Sequence, residues 1–324
     1  MKHVSILIPH GDVSLTNIDG PRKLFMQVND FLQHQGKEPL FNIQLIGLPH
    51  PPLEKAYFTI VADHAISQVE KTDLIIIPAV HGSVSTWLPA NQDFIPWINA
   101  QYKRGAEVAS LCVGAFLLAG TGLLNGKKCA THWVAANEFR TMYPEVDLVP
   151  DKILTDEKGI YSSGGAFSFL NLILYLIEKY AGRDMAILTS KIFEIEIDRG
   201  SQSPFIMFNG QKEHEDEPVK KAQVFIENNY QERITVDQLA EMTALSRRNF
   251  ERRFRKATSN SVVEYIQRVK VEAAKISLES SRENVNEVMY KVGYSDTKAF
   301  RSIFKKITGL SPLEYKNRYN MALA

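Results

Sequence analysis

The 324-residue sequence predicts an α/β domain with a parallel sheet, followed by an all-α domain built on an internal repeat. Three observations carry this. Over roughly the first 180 residues, short apolar runs alternate with stretches of helical periodicity. From Val219 onward essentially only helical periodicity remains. The charge is also divided: residues 216–324 hold 20 Lys and Arg against 14 Asp and Glu, a net +6, while the rest holds 18 against 23, a net −5. A basic part joined to an acidic one points to a polyanion as partner of one half only.

The strands read in order as residues 4–8, 41–47, 74–78, 107–111 and 160–162, with helices at 21–34, 94–104 and 167–180 among the segments between them. Continuous apolar β-branched runs separated by helices describe a parallel sheet covered on both faces. In such sheets the ligand site lies beyond the carboxyl ends of the strands. Around residues 198–218 the pattern fails in polar runs with Gly and Pro breakers. These features bound a first domain at 1–182, a connecting segment at 183–217 and a second domain at 218–320.

Several function classes are excluded early. Cys112 and Cys129 have no metal-ligand spacing and make no disulfide framework, so no metal and no cofactor is expected. The apolar run at the start is too short for a signal peptide, and the most apolar stretch, 167–177, is far short of the roughly 20 residues of a membrane span. The expected location is cytoplasmic, with no membrane partner.

The second domain repeats at an offset of 50 residues: the run from Asn249 to Lys256 aligns with that from Ala299 to Lys306. Ahead of each lies a short amphipathic helix, 236–242 and 285–291, and a tight turn, Thr243-Ala244-Leu245 and Val292-Gly293-Tyr294. Ser246 and Ser295 are suited to cap the helices that follow. Short helix, tight turn and second helix make a helix-turn-helix. Phe250 and Phe254, like Phe300 and Phe304, recur four apart and face a core. Rotated away from them are Arg247, Arg248, Glu251 and Arg252 in the first unit, where Arg253 adds a further basic residue to the DNA-contacting set, and Thr297, Lys298, Arg301 and Ser302 in the second. These are side-chain types that reach base edges and phosphates in a major groove. Lys256, Lys305 and Lys306, at the helix ends, suit phosphate contacts. A single charged helix face is more often just solvated; two such units at a fixed offset shift the balance to double-stranded DNA. Between them residues 261–280 read as one long helix with Val263, Ile266, Val269, Ala273, Ala274 and Ile276 as its apolar stripe. Such a spacer would set the recognition helices into groove segments about 34 Å apart.

The stretch 275–319 resembles the AraC-type DNA-binding domain. It carries Gly293-Tyr294, then Phe304-Lys305-Lys306, then Gly309-Leu310-Ser311-Pro312 with Tyr315, at the spacing of that family. The resemblance implies a transcription regulator, an activator being the commoner behaviour in the family, with RNA polymerase as a further partner.

Upstream, the run from Ala109 to Gly120 ends a strand, presents Cys112 between Ser110 and Gly114, and begins a helix. Small residues on either side of such a turn build a nucleophile elbow. A thiol there would face a helix N-terminus, which favours thiolate. The plainer reading is a buried cysteine at a strand end. Asp73 to Pro78, the Cys112 turn, Gly122 to Gly126, Thr131-His132-Trp133 and Gly164 to Phe167 together resemble the ThiJ/PfpI, class I glutamine amidotransferase-like domain. They are similar in particular to the version joined to AraC-type domains in GlxA-like regulators. The resemblance implies a flavodoxin-like parallel-sheet sandwich and a homodimer through this domain.

This sequence departs from the hydrolytic members of that superfamily. Val113 stands where they place a His after the cysteine, Asn17 where a carboxylate is usual, and Asn171 where the regulators usually carry Asp. Asn cannot act as a general base, and His132 is left as the one candidate. No catalytic residue is therefore expected, and the elbow reads as the floor of a pocket for a small-molecule effector. Its expected lining is Asn17, Gly20, Pro21, His81, Gly82, Cys112, Val113, His132 and Trp133, at strand ends or in the loops beyond them. Two other readings compete: an active Cys-dependent amidase or glyoxalase-like enzyme with a DNA-binding domain, and a regulator that senses redox state through Cys112.

Overall fold

The computed structural model describes residues 1–49, 53–55, 58–197 and 200–320. The chain divides into two compact units, Met1–Gln202 and Ser203–Ala324, called here the N-terminal and C-terminal domains.

The N-terminal domain is built on seven strands: β1 (Lys2–Ile8), β2 (Phe41–Gly47), β3 (His64–Ala65), β4 (Leu74–Ile77), β5 (Glu107–Ser110), β6 (Leu154–Asp156) and β7 (Ile160–Ser163). Their order across the sheet is β6-β7-β5-β4-β1-β2-β3. All pairings are parallel except that of β6, an antiparallel edge strand. The strands expected from the sequence are all present; β3 and β6, two and three residues long, are too short to leave a periodic signal.

Alternate residues of each central strand enter two separate cores, which is why the runs are largely apolar rather than alternating. Leu7, Ile75, Ile77 and Val108 pack on one face under α2 (Val84–Ala90), α3 (Phe94–Lys103), α4 (Ala115–Gly120) and α5 (Ala136–Met142). Val4, Ile6, Ile8, Ile76 and Ala109 pack on the other face under α1 (Thr16–His34), α6 (Ser168–Ala181) and α7 (Arg183–Ile192). The result is a flavodoxin-like three-layer sandwich. Helix α1 begins at Thr16, five residues ahead of the expected start at Pro21, and that proline lies inside it. A proline this close to a helix start forfeits one amide hydrogen bond without ending the helix.

The C-terminal domain is all helix: α8 (Glu217–Asn229), α9 (Val236–Met242), α10 (Arg247–Thr258), α11 (Val262–Ser280), α12 (Val285–Lys291), α13 (Thr297–Thr308) and α14 (Pro312–Tyr319). It contains two cores. One gathers Val219, Ile226, Leu239, Phe250, Phe254 and Tyr265; the other gathers Leu278, Val288, Met289, Phe300, Phe304 and Tyr315. Capping boxes start equivalent helices of the two units, Thr235/Gln238 matching Asn284/Glu287 and Ser261/Glu264 matching Ser311/Glu314. Each box satisfies two amide donors that a helix start leaves open.

The long helix α11 serves both cores with different sides. Val262, Tyr265, Ile266 and Val269 pack in the first core, and Val271, Ala274 and Leu278 in the second. At about 100° per residue these two groups lie on nearly opposite faces. The single stripe expected from the sequence is therefore wrong in part: Val263 is 52% exposed and Ile276 58% exposed. Ile276 lies on the side used by the first core but beyond its reach along the helix.

The structure also redraws the connecting segment. Residues 183–192 form α7, whose Met185 and Ala186 are buried in the N-terminal core. Residues 203–216 lie along the helices of the C-terminal domain: Lys275 Nζ donates to the Ile206 carbonyl at 2.7 Å, the Phe208 amide to Glu272 at 3.0 Å, and Gln223 Nε2 to the Gln211 carbonyl at 2.8 Å. Polar residues read as loop thus find partners that composition does not reveal. Asp198 and Arg199, in the run read as the connection, lie outside the described residues.

Candidate DNA interface and elbow site

The helix-turn-helix turns differ by one residue. Ala244 takes a left-handed φ of 54° in the first and Gly293 a φ of 75° in the second. From there to the first core phenylalanine is six residues in one unit and seven in the other, so the caps differ. Ser246 occupies the N-cap position of α10 without a side-chain cap bond. Helix α13 is capped by Asp296, whose side chain accepts the amides of Lys298 and Ala299. Ser295, expected as that cap, stands one residue early because the second turn is longer.

The recognition helices are polar outside and aromatic inside in the same register. Phe250, Phe254 and Thr258 in α10, and Phe300, Phe304 and Thr308 in α13, are buried. Arg247, Arg248, Glu251, Arg252 and Lys256 are exposed in the first, as are Lys298, Arg301, Ser302, Lys305 and Lys306 in the second. Thr297 is half-buried, and Ser295 is exposed just ahead of the helix. Arg255, exposed at the repeat equivalent of Lys305, belongs with this surface; the 50-residue offset was the signal for it.

The two helices hold their cations differently. Arg247 pairs with Asp237 at 3.2 Å and with Glu251 at 3.5 Å, and Arg252 donates to Asn249 at 2.9 Å. Arg253 is turned away from the exposed face and grips Asp216, the N-cap of α8. Its place in the expected DNA-contacting set is taken by a structural ion pair, because it lies next to Phe254 at the core margin. In α13, Lys298 and Arg301 make no ion pair among the described residues.

In the N-terminal domain, Cys112 ends the strand run with a left-handed φ of 55° and is 5% exposed. This is the strained turn of an elbow. Gly114 after it lies so close to β4 that a Cβ there would come within 2.5 Å of the Ile77 carbonyl oxygen. The thiol accepts backbone amides of Ala166 and Val113, yet burial dominates and pushes its pKa above the ordinary thiol value. The thiolate expected from a helix N-terminus is therefore corrected to a neutral thiol. Cys129 is held further up, to about 12, by burial.

Around the elbow, Thr131 donates to the Cys112 carbonyl at 3.0 Å, and Asn17 accepts the Ala79 amide at 3.2 Å, tying the start of α1 to the loop after β4. His132 lies against Gly165, where a Cβ would meet its ring at 2.6 Å, and within 5.7 Å of the Trp133 ring. Its Nδ1 accepts the Val134 amide, and burial, with a smaller contribution from neighbouring His81, lowers its pKa. His81 and Gly82 are exposed, and Val113 is half-buried. Gly20 and Pro21 are packing residues instead: a Cβ on Gly20 would collide with the Phe169 ring at 2.7 Å, and Pro21 is buried within α1. Their position after a strand end suggests the site; the helix, starting early, carries them away from the loop.

Gln202 is a residue that sequence reasoning missed. It is 2% exposed, accepts the Gly165 amide at 3.0 Å and donates to the carbonyls of Thr131 at 3.0 Å and Lys152 at 3.1 Å. Gly164 makes room for it, since a Cβ there would sit 2.6 Å from its amide nitrogen. Only the paired glycines pointed to it.

This geometry defines a regulator class, an elbow-bearing α/β domain followed by a tandem helix-turn-helix. Two family models match: the DJ-1/PfpI family over residues 48–179 and a helix-turn-helix domain over residues 239–318. The HTH-type transcriptional regulator GbdR of Pseudomonas aeruginosa is 25% identical over 257 residues, covering 78% of this chain and 68% of GbdR. An AraC family transcriptional regulator from Pseudomonas putida, solved as a crystal structure, shares the fold with a TM-score of 0.51 at 15% identity, over 60% of this chain and all of that one. Isonitrile hydratase of Pseudomonas putida is 24% identical over 135 residues, 41% of this chain and 54% of that enzyme. The chain thus carries a DJ-1/PfpI domain followed by an AraC-type helix-turn-helix domain, and it is a DNA-binding regulator. Among the described residues no helix is long and apolar enough to cross a membrane.

Proposed function

We propose that the N-terminal domain is a sensor that binds a small molecule over the Cys112 elbow without turning it over, and that occupancy changes how the C-terminal domain binds an operator. The sensor takes in residues 1–202 and the DNA-binding function residues 217–320. The observation that supports this most is the chemistry of the elbow: a buried neutral thiol, a neutral His132 with no carboxylate among the groups that shift it, and Asn17 committed to a backbone amide. A nucleophile whose one candidate base, His132, has no carboxylate to orient it does not make a hydrolase. The raised thiol pKa also counts against redox sensing, since oxidants react with the thiolate.

Gln202 supports a route for the signal. It joins the Gly165 and Thr131 loops beside Cys112 and His132, and the next residue, Ser203, begins the segment that lies along α11. A ligand that moves Gly165 acts on the covalent start of that segment. It shifts the equilibrium only as far as it binds one arrangement better than the other. Homodimerisation through the N-terminal domain, activation as the outcome and contact with RNA polymerase belong to the same reading.

The test is a thermal-shift screen of small metabolites on the full chain, followed by operator binding with and without each hit. Binding that alters operator affinity, and that persists in Cys112→Ala, agrees with a sensor. Consumption of the hit by wild type and its loss in Cys112→Ala would establish an enzyme instead.

A further inference from the structure

The two helix-turn-helix units close separate cores and are linked by α11, by the segment 203–211 that runs along both, and by a joint. That joint is made where the loop after α8 meets the turn of the second unit. Tyr230 leaves the first unit and packs against the second core. The Gln231 carbonyl lies so near Gly293 that a Cβ there would come within 2.0 Å of its oxygen. Beneath this contact runs Lys270, midway along α11 and, at about 100° per residue, between the two faces that the cores use.

Lys270 is 8% exposed. Its ammonium donates to the Gly293 carbonyl at 3.2 Å and the Glu232 carbonyl at 3.4 Å, and it lies 5.4 Å from the centre of the Tyr294 ring. Glu232 belongs to the first unit, and Gly293 and Tyr294 to the second. No carboxylate pairs with this lysine among the described residues. A buried cation without a counter-ion is a poor way to stabilise a core, and an apolar side chain of the same length would serve that end better. What the ammonium adds is direction: one group bonded to the backbone of both units at the point where they meet.

We propose that Lys270 is a positioning residue that sets the separation and angle of the two recognition helices, and so the spacing of the DNA segments they read. Two linked readers bind as one only when their geometry matches the site; a loose joint leaves each reader intact and forfeits the gain from linkage. The role is distinct from DNA contact, because Lys270 is enclosed between the units.

The test selects duplexes from a random-sequence library with the full chain, wild type against Lys270→Met. Wild type should recover two motifs at one spacing. The variant should recover the same motifs at scattered spacings, or one motif alone. Its affinity for the wild-type duplex should fall about tenfold to hundredfold at matched salt. Its affinity for a duplex carrying one motif should stay within about twofold of wild type, since each reader is unchanged. A second readout is the distance between spin labels on Arg255→Cys and Lys305→Cys, both at exposed sites, while Cys112 and Cys129 are buried. That distribution should be narrow in wild type and broad in the variant. Unchanged spacing with an unchanged distance distribution overturns the proposal, as does recovery of a single motif by wild type. Where Lys270→Met loses its near-UV circular dichroism, Lys270→Gln, which keeps an uncharged donor, takes its place in both measurements. Scattered spacing with a broad distribution then supports the proposal, and wild-type behaviour in both overturns it.

Discussion

Arg253 holds Asp216 through two hydrogen bonds of 2.8 Å, joining the first recognition helix to the N-cap of α8. The guanidinium beside it keeps the Asp216 carboxyl below the ordinary carboxylate value of 3.8. Because the folded pKa lies below the unfolded one, the stabilisation is fully present above about pH 4 and is lost as pH falls through the folded value. Asp216→Ala should destabilise the C-terminal domain by about 1 kcal/mol through the lost cap alone. Urea unfolding at pH 7 and pH 3 checks this: the gap between wild type and variant should shrink at the lower pH, and a gap independent of pH would refute the assignment.

We propose that the exposed faces of α10 and α13 carry the contacts with DNA. Arg252→Ala or Arg301→Ala should each lower specific affinity by about 1–3 kcal/mol if a base contact is removed. Lys305→Ala should weaken all sequences alike and reduce the salt slope by about 1. Titrations over a range of salt separate the two behaviours, and wild-type operator affinity in both arginine variants would contradict the recognition faces drawn here.

Gln202 fills three backbone hydrogen-bonding groups inside the N-terminal domain. Gln202→Ala leaves them without a partner and should cost about 1–3 kcal/mol. Gly164→Ala should destabilise as well, since its methyl would have to displace the same side chain. Thermal denaturation of both variants tests this. Operator binding by a folded Gln202→Ala that no longer responds to an active small molecule would place the residue on the route from sensor to DNA.

Cys112 should react slowly. Burial raises its pKa above the ordinary thiol value of 9.0, so the thiolate fraction at pH 7 is smaller than in the unfolded chain. Alkylation by iodoacetamide should therefore be slower in the native protein than in urea, and should climb as pH rises beyond the ordinary thiol range. Cys129, buried and held near 12, should remain unlabelled until the domain unfolds. Fast native labelling of Cys112 at pH 7 would reopen the redox reading.

Much of this was legible in the residues. The five strands appear where apolar runs predicted them, because a strand buried on both faces is largely apolar, as β4 is at all four positions. The repeat placed both recognition helices, since core phenylalanines four apart and exposed cations between them fix a helix face without any knowledge of its neighbours. The elbow was visible as a cysteine between small residues at a strand end.

Three features were not. The cap of α13 moved to Asp296 because a turn one residue longer cannot be seen from alignment of the helices alone. The pKa of Cys112 depends on burial as well as on the nearest helix end, and burial is a property of the assembled layers. Arg253 looked like its neighbours in α10 until Asp216, 37 residues earlier, took hold of it.

The sequence by itself therefore determined the order of elements, the faces they bury and the chemical class of the DNA-reading surface, all of which follow from spacing along one chain segment. Tertiary structure decided which charges remain available, which polar loops are held in place and where Lys270 sits. Those depend on groups brought together from distant parts of the chain, and an ammonium bonded to the carbonyls of Glu232 and Gly293 leaves no periodic trace in the residues around it.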